Sequence, residues 1–326
     1  MKKFLAVFIV SAMIMASASV ALAADKDFFI TLAHNLAEDH AVHIAMTEWA
    51  DAVNNASNGS ITINIIPNGQ LGSEADCVSQ IQASQLEMTK VSAGTLANFA
   101  SAWNCVSVPY VFRDKDHLYN VMNGEIGKDL YKLTEKDGFI GLAWLESGTR
   151  CFYTANKAVR VPEDLKGLKI RTMDSQMAID MMNAFGGSAT VMGYSDIYTG
   201  MQQGVIDGAE NNITALRDHA DVTKFYCYDE HTMIPDVIVI SVKVWNDMSD
   251  SQKEIMLKTA SEMVANYRGL WAKFEDDVKA QVGDKVQYVT DVDKPAFQKA
   301  VQPLYESLKA GDALTYSFVE RIQAAK

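Results

Sequence analysis

Arginine is scarce in this acidic chain of 326 residues: there are seven, against 41 aspartates and glutamates, and the formal net charge is −12. Nucleic acids and anionic membranes bind a basic face that displaces counterions or meets acidic headgroups, so neither is expected as a partner. Proline is rare as well, and no Pro/Gly/Ser-rich or low-complexity stretch marks a linker. Two domains in a chain of this length should therefore be intertwined rather than beaded. The four cysteines, Cys77, Cys105, Cys151 and Cys227, have no zinc-site spacing and the six histidines are scattered, so no metal site is expected. Three disulfide pairings remain open, with buried free thiols favoured over a single bridge. GxSxG, HExxH and a persuasive carboxylate pair are all missing, which argues against an enzyme and leaves no cofactor motif.

Long apolar runs are confined to the start. Lys2 and Lys3, the apolar stretch Phe4 to Ala16 and the small-residue pattern Ala21-Leu22-Ala23 have the anatomy of a secretory signal peptide over residues 1–23. Its removal leaves 27 basic against 41 acidic side chains. No later segment approaches the roughly 18 uncharged apolar residues of a membrane-spanning helix. No cysteine stands at the cleavage junction to carry a lipid, so a freely diffusing, monomeric periplasmic protein without a membrane anchor is expected.

What is present alternates between strands and helices. Phe28 to Ala33 reads as a strand, followed by a helix with Val42, Met46, Trp49, Ala50 and Val53 on one face that Gly59 stops. Ile61, Ile63 and Ile65 mark a second strand at period two, and a helix begins near Gly72-Ser73-Glu74. Glu87 to Ser92 and Val106 to Val111 read as further strands. The alternation resumes with strands at Phe139–Leu145, Thr149–Thr154 and Leu168–Thr172, then a Met-rich helix from Ser175 to Phe185. A short strand near Ala189 to Met192, a short helix from Ser195 to Gln203 and a strand ending in Ala209-Glu210-Asn211-Asn212 follow. This order predicts an α/β fold with mostly parallel sheets. Near the C-terminus, Ser249 with Gln252 forms a capping box. Apolar residues then keep helical spacing from Ile255 to Val282, roughly 45 to 50 Å of helix and long enough to brace two domains.

Two of the seven arginines sit in apolar strand-like segments: Arg150 in TRCFYT and Arg171 in LKIRTM. Burying a guanidinium costs desolvation unless an anion compensates, and that anion is either an internal carboxylate or a ligand. Arg171 and Asn211 both occupy strand carboxyl ends, where open α/β sheets gather ligands.

The strings VPEDLKGLKIRTM, GYSDIYTGMQQGVIDGAENN, PNGQLGSE, VSVPYVF and VKVWNDMSDSQKEI, five blocks that fall in the right order along the chain, resemble the substrate-binding proteins of TRAP transporters, the DctP-like family, over essentially the whole mature chain. The resemblance implies a two-domain periplasmic binding protein fold with hinge strands and a long domain-spanning helix. It also implies no enzymatic activity, and a ligand clamped in the cleft for delivery to TRAP membrane permease subunits. The domains expected are 24–148 with about 237–276, and 149–236 with about 277–326. Matched position by position, Arg171 is the arginine that pairs with a substrate carboxylate, Arg150 a second carboxylate contact and Asn211 the amide completing the clamp. Tyr194 would pack on the ligand and Glu74 would reach its hydroxyls. His34, Asn35 and Trp144 would face the cleft, with Met173, Asn212, His231 and Asp236 as pocket walls or supports. Gly187-Ser188 stands where family members often carry Ala and Pro. Glu74 and Glu210 disfavour a second anion, so among organic acids a sugar acid, a hexuronate such as glucuronate or galacturonate, is expected ahead of a C4-dicarboxylate.

Overall fold

The computed structural model describes residues 26–326, and the expected signal peptide lies outside the described residues. Eleven strands appear in chain order: β1 (Phe28–Ala33), β2 (Ile61–Ile66), β3 (Met88–Ser92), β4 (Phe139–Leu145), β5 (Arg150–Thr154), β6 (Lys169–Thr172), β7 (Ser188–Val191), β8 (Gly208–Asn211), β9 (Phe225–Thr232), β10 (Asp236–Ser241) and β11 (Gln287–Val289). They form a five-stranded sheet of order β2-β1-β3-β10-β4 and a six-stranded sheet of order β11-β9-β5-β8-β6-β7.

In each sheet every strand but one points the same way. The exceptions are β10 in the first and β5 in the second, each antiparallel to both of its neighbours. Both follow from how the chain crosses. It passes from β4 to β5 through residues 146–149 and returns from β9 to β10 through 233–235. A strand that leaves the carboxyl edge of one sheet and enters the other directly must enter from that sheet's carboxyl edge, and so runs against its new neighbours. The consequence is geometric: the carboxyl edges of the two sheets face each other.

Helices cover the sheets because their apolar stripes have nowhere else to go. On the first sheet the helix Ala41–Ala56 buries Val42, Met46, Trp49 and Val53 against Ile30, Leu32 and Ile61. The helix Asp250–Val282 runs 33 residues from the Ser249–Gln252 capping box, roughly 50 Å at 1.5 Å per residue. Met256, Ala260, Met263, Tyr267 and Trp271 enter the core of the first domain. Val278 and Val282 enter a core of the second, so one rigid rod packs on both. A hydrogen bond of 3.0 Å from Trp49 Nε1 to Thr259 Oγ1 fixes its register on the first domain.

Three sequence expectations are corrected or resolved. Val106 to Val111 is not a strand: Ser101–Val106 is a 3-10 turn, and Tyr110 adopts φ 59° after a proline that cannot donate to a ladder. The tail does not stay wholly with the second domain as the 277–326 boundary supposed. Its last helix, Ala313–Ala324, returns to the first, where Phe318, Val319 and Ile322 pack with Trp103, Val106 and Leu130. All four cysteines are free and buried, so no bridge staples the fold.

Where the chain first crosses, space is tight. Gly148 has φ +65°, and a Cβ there would lie 3.0 Å from Asn212 Cβ, Glu275 Oε1 and Trp271 Cζ2. Gly148→Ala combines an unfavourable backbone region with three close contacts, so urea unfolding should show a loss of about 1–3 kcal/mol.

Candidate ligand-binding site

The facing edges enclose an outer cavity of about 430 Å³ that adjoins a narrower inner chamber of about 60 Å³. Asn35, Glu74, Arg171, Met173 and Tyr194 line both. Topology explains who arrives there. On the second domain Arg171 stands on β6 opposite Ala209 of β8, and Asn211 ends β8 opposite Cys151. The reversed β5 therefore delivers its first residue, Arg150, to the same edge. On the first domain the reversed β10 delivers Asp236 opposite Ser92, the last residue of β3.

The two arginines are equally buried, at 5% exposure each, and have opposite fates. Arg150 is taken up internally. Its Nε and Nη2 grip Glu210 Oε2 and Oε1 at 2.6 and 2.9 Å, Nη2 also donates to the Glu210 carbonyl, and Nη1 donates to Asn211 Oδ1 at 2.8 Å. One Nη1 hydrogen is left for the cleft. Arg171 makes a single bond, from Nε to the Met192 carbonyl at 2.9 Å, and has no acidic partner among the described residues. Burial accordingly holds its pKa below the ordinary arginine value. Both Nη groups of Arg171 thus remain available, in a place where an unpaired charge is costly.

Behind Arg150 lies a relay that sequence spacing did not reveal. The β5–β9 ladder is interrupted between Arg150, opposite Thr232, and Phe152, opposite Cys227, so β9 bulges over the intervening residues. The bulge aims His231 inward between Asp229 Oδ2 at 2.5 Å and Glu210 Oε2 at 3.2 Å. Burial would lower the His231 pKa, but the two carboxylates raise it to about 9. Burial would likewise raise Glu210, yet Arg150 and His231 bring it down to about 2. His231 supports the edge from behind and does not line the cleft.

Across the chamber stands a lysine that the sequence reading missed. Lys90 on β3 is 2% exposed, and its ammonium contacts Glu74 Oε1 at 2.6 Å, Asn35 Oδ1 at 3.0 Å and Asp236 Oδ1 at 3.5 Å. The signal was present: a lysine in the middle of the strand-like segment Glu87 to Ser92 raises the same desolvation problem as an arginine in LKIRTM once the strand is buried. Burial would lower its pKa, but Asp236 and Glu74 raise it.

Two expected cleft residues are elsewhere. His34 spends both ring nitrogens internally, Nε2 on His43 Nδ1 at 2.9 Å and Nδ1 on the Leu36 amide, and burial pushes its pKa to about 3. It holds the loop that presents Asn35. Trp144 donates to Asn123 Oδ1 and packs edge-on against Tyr119, beside a separate cavity. Asn212 does line the chamber, but its amide is spent on the Ser147 carbonyl and on capping Thr214. The rims of the two domains touch: Asn98 Nδ2 donates to the Asp174 carbonyl at 3.0 Å, and Arg217 pairs with Asp39 at 2.7 Å. Arg217 also holds Asp218, whose Oδ2 accepts from Tyr194 at 2.8 Å, which steadies that ring at the cleft.

Paired and unpaired arginines should behave differently in the ligand-free protein. Arg150→Met strands Glu210 and should cost about 3–5 kcal/mol in urea unfolding, whereas Arg171→Met removes an uncompensated charge and should leave stability unchanged or raised. The relay also sets a pH profile. Glu210 contributes stability above its ordinary value of 4.5 that is lost as pH falls toward 2. His231 contributes stability below 6.5 that is lost as pH rises through about 9. Melting temperature should therefore peak between these limits, and His231→Gln should flatten the alkaline limb.

The chain is similar to known proteins over most of its length. Residues 32–312 match the family model described as DctP, bacterial extracellular solute-binding protein, family 7. The protein YiiZ of Salmonella typhimurium is 36% identical over 278 residues, 84% of this chain and 85% of the relative. A crystal structure of a TRAP periplasmic solute binding protein from Xanthobacter autotrophicus Py2, with bound beta-D-galacturonate, superposes with TM-score 0.87 at 35% identity, covering 91% of this chain and 100% of that one. Another from Roseobacter denitrificans, with bound beta-D-glucuronate, gives TM-score 0.87 at 31% identity, covering 92% and 100%. The family captures solutes rather than transforming them, and the two sheets, the hinge crossings and the bracing helix are its architecture. This chain belongs to the DctP family of bacterial extracellular solute-binding proteins, the TRAP transporter binding proteins.

Proposed function

We propose that this protein captures a hexuronate, D-glucuronate or D-galacturonate, in the periplasm and delivers it to the membrane permease of a TRAP transporter. The observation that carries the proposal is Arg171: a buried guanidinium with one bond to a carbonyl and no acid beside it. A ligand carboxylate supplies the missing anion, and both Nη groups can grip it bidentately. The spare hydrogen on Arg150 Nη1 and the amide of Asn211, whose oxygen is already occupied by Arg150, add donors to the same carboxylate. The Tyr194 ring and Met173 offer apolar cover for the sugar ring. Similarity to binding proteins crystallised with galacturonate and glucuronate supports a sugar acid as the cargo.

Delivery requires opening and closing. Crossings 146–149 and 233–235 are the covalent hinges, and the long helix braces both domains from behind. A ligand held by Arg171 on one side and Glu74 on the other favours the closed form, because only that form offers both contacts.

Calorimetric titration with glucuronate and galacturonate, and with succinate and sialic acid as comparisons, tests this. A hexuronate should bind most tightly, and Arg171→Met should weaken it by about 3–5 kcal/mol while the variant stays folded. Affinity within about threefold of wild type in that variant would remove Arg171 as the anchor.

A further inference from the structure

We propose that Lys90, Glu74 and Asp236 form a charge filter that admits the hydroxylated end of a monoacid and rejects a second carboxylate. The proposal rests on the hexuronate reading of the cleft and specifies how its far end is read. One feature of the chamber would ordinarily suggest the opposite: a buried lysine facing a buried arginine across about 60 Å³ is what a dicarboxylate site would use. Counting donors removes that reading.

An ammonium has three hydrogens. Those of Lys90 are directed to three oxygens of the protein: Glu74 Oε1 at 2.6 Å, Asn35 Oδ1 at 3.0 Å and Asp236 Oδ1 at 3.5 Å. The lysine has nothing left to offer a ligand anion. Glu74 alone matches the lysine's charge, and Asp236, whose pKa burial raises, stands beside the pair as a second acid. Glu74 Oε2 and Asp236 Oδ2 carry no hydrogen bond among the described residues, and they are acceptors. The first domain therefore presents carboxyl oxygens with no free ammonium hydrogen beside them, while the second presents the donors of Arg171. Ligand hydroxyls can donate to the free oxygens. A second carboxylate there would meet two of its own kind with no free ammonium hydrogen to offset them, leaving only the neutral Asn35 amide as a donor, a like-charge juxtaposition that disfavours binding. Lys90 thus acts as a positioning residue that holds the two acids together without itself touching cargo.

The filter is located where the fold can hold it rigidly. Lys90 lies mid-strand on β3, Asp236 begins the neighbouring β10 and Glu74 opens the helix Glu74–Gln82 behind the Ser73 cap. Asp236 directly follows the return crossing, so the same segment that carries the hinge contributes one of the two acids.

The test compares each hexuronate with the hexarate that carries a second carboxylate at the other terminus, glucuronate with glucarate and galacturonate with galactarate, by calorimetry. Wild type should favour the monoacid by about 100-fold or more, and Asp236→Asn or Glu74→Gln should narrow that ratio by about tenfold, chiefly through tighter hexarate binding. Hexarate affinity within about threefold of the hexuronate in wild type would overturn the filter whatever the variants do. So would an unchanged ratio in both folded variants. A wild type that binds hexuronates but fails this comparison refutes only the filter; a wild type that binds neither class refutes the hexuronate reading and the filter with it.

Discussion

The bidentate ion pair between Arg150 and Glu210 is the contact on which the binding edge depends. It joins the first residue of a strand that has just crossed between domains to the penultimate residue of β8, and so locks the crossing strand into the second sheet. His231 and Asp229 complete the pair from behind, which keeps every charge in that layer matched. Because Glu210 is consumed there, it forms no ion pair with Arg171 on the neighbouring strand β6. The unpaired guanidinium is thus a product of how the paired one is satisfied.

The same crossing logic shapes the first domain. A reversed strand brings Arg150 to one edge and another brings Asp236 to the other, so each passage between domains deposits a charged side chain at the cleft. The signs differ, and the difference organises the site. One wall ends with a cation short of an anion, the other with a cation held by two acids. An amphoteric cleft of this kind suits a ligand with a carboxylate at one end and hydroxyl donors at the other. The overall acidity of the protein makes local pairing the stronger determinant, since the global field repels any anionic cargo until it reaches Arg171.

Much of the architecture was legible because it is written in local periodicity. The isoleucine alternation over residues 61–65, the apolar face from Val42 to Val53 and the Ser249–Gln252 box each specify an element from neighbours a few residues apart. Where the reading failed, nonlocal partners decided. VSVPYVF has strand-like composition, yet Tyr110 takes a left-handed conformation and donates to the His231 carbonyl, a contact spanning 121 positions. The last helix looks equally able to cover either domain, and its Phe318 and Ile322 fit the first.

The site divides in the same manner. Sequence by itself determined that Arg150 and Arg171 had to be buried and had to find anions, because charged groups in apolar strands carry a desolvation cost wherever the strands lie. It could not say which arginine would find its anion inside the protein. That was decided by tertiary structure, which set Glu210 against Arg150 across 60 positions, drew Lys90 to Asp236 across 146, and turned His34 and Trp144 away from the cleft. The physical reason is that burial cost is a property of a residue and its neighbours along the chain, whereas compensation is a property of neighbours in space.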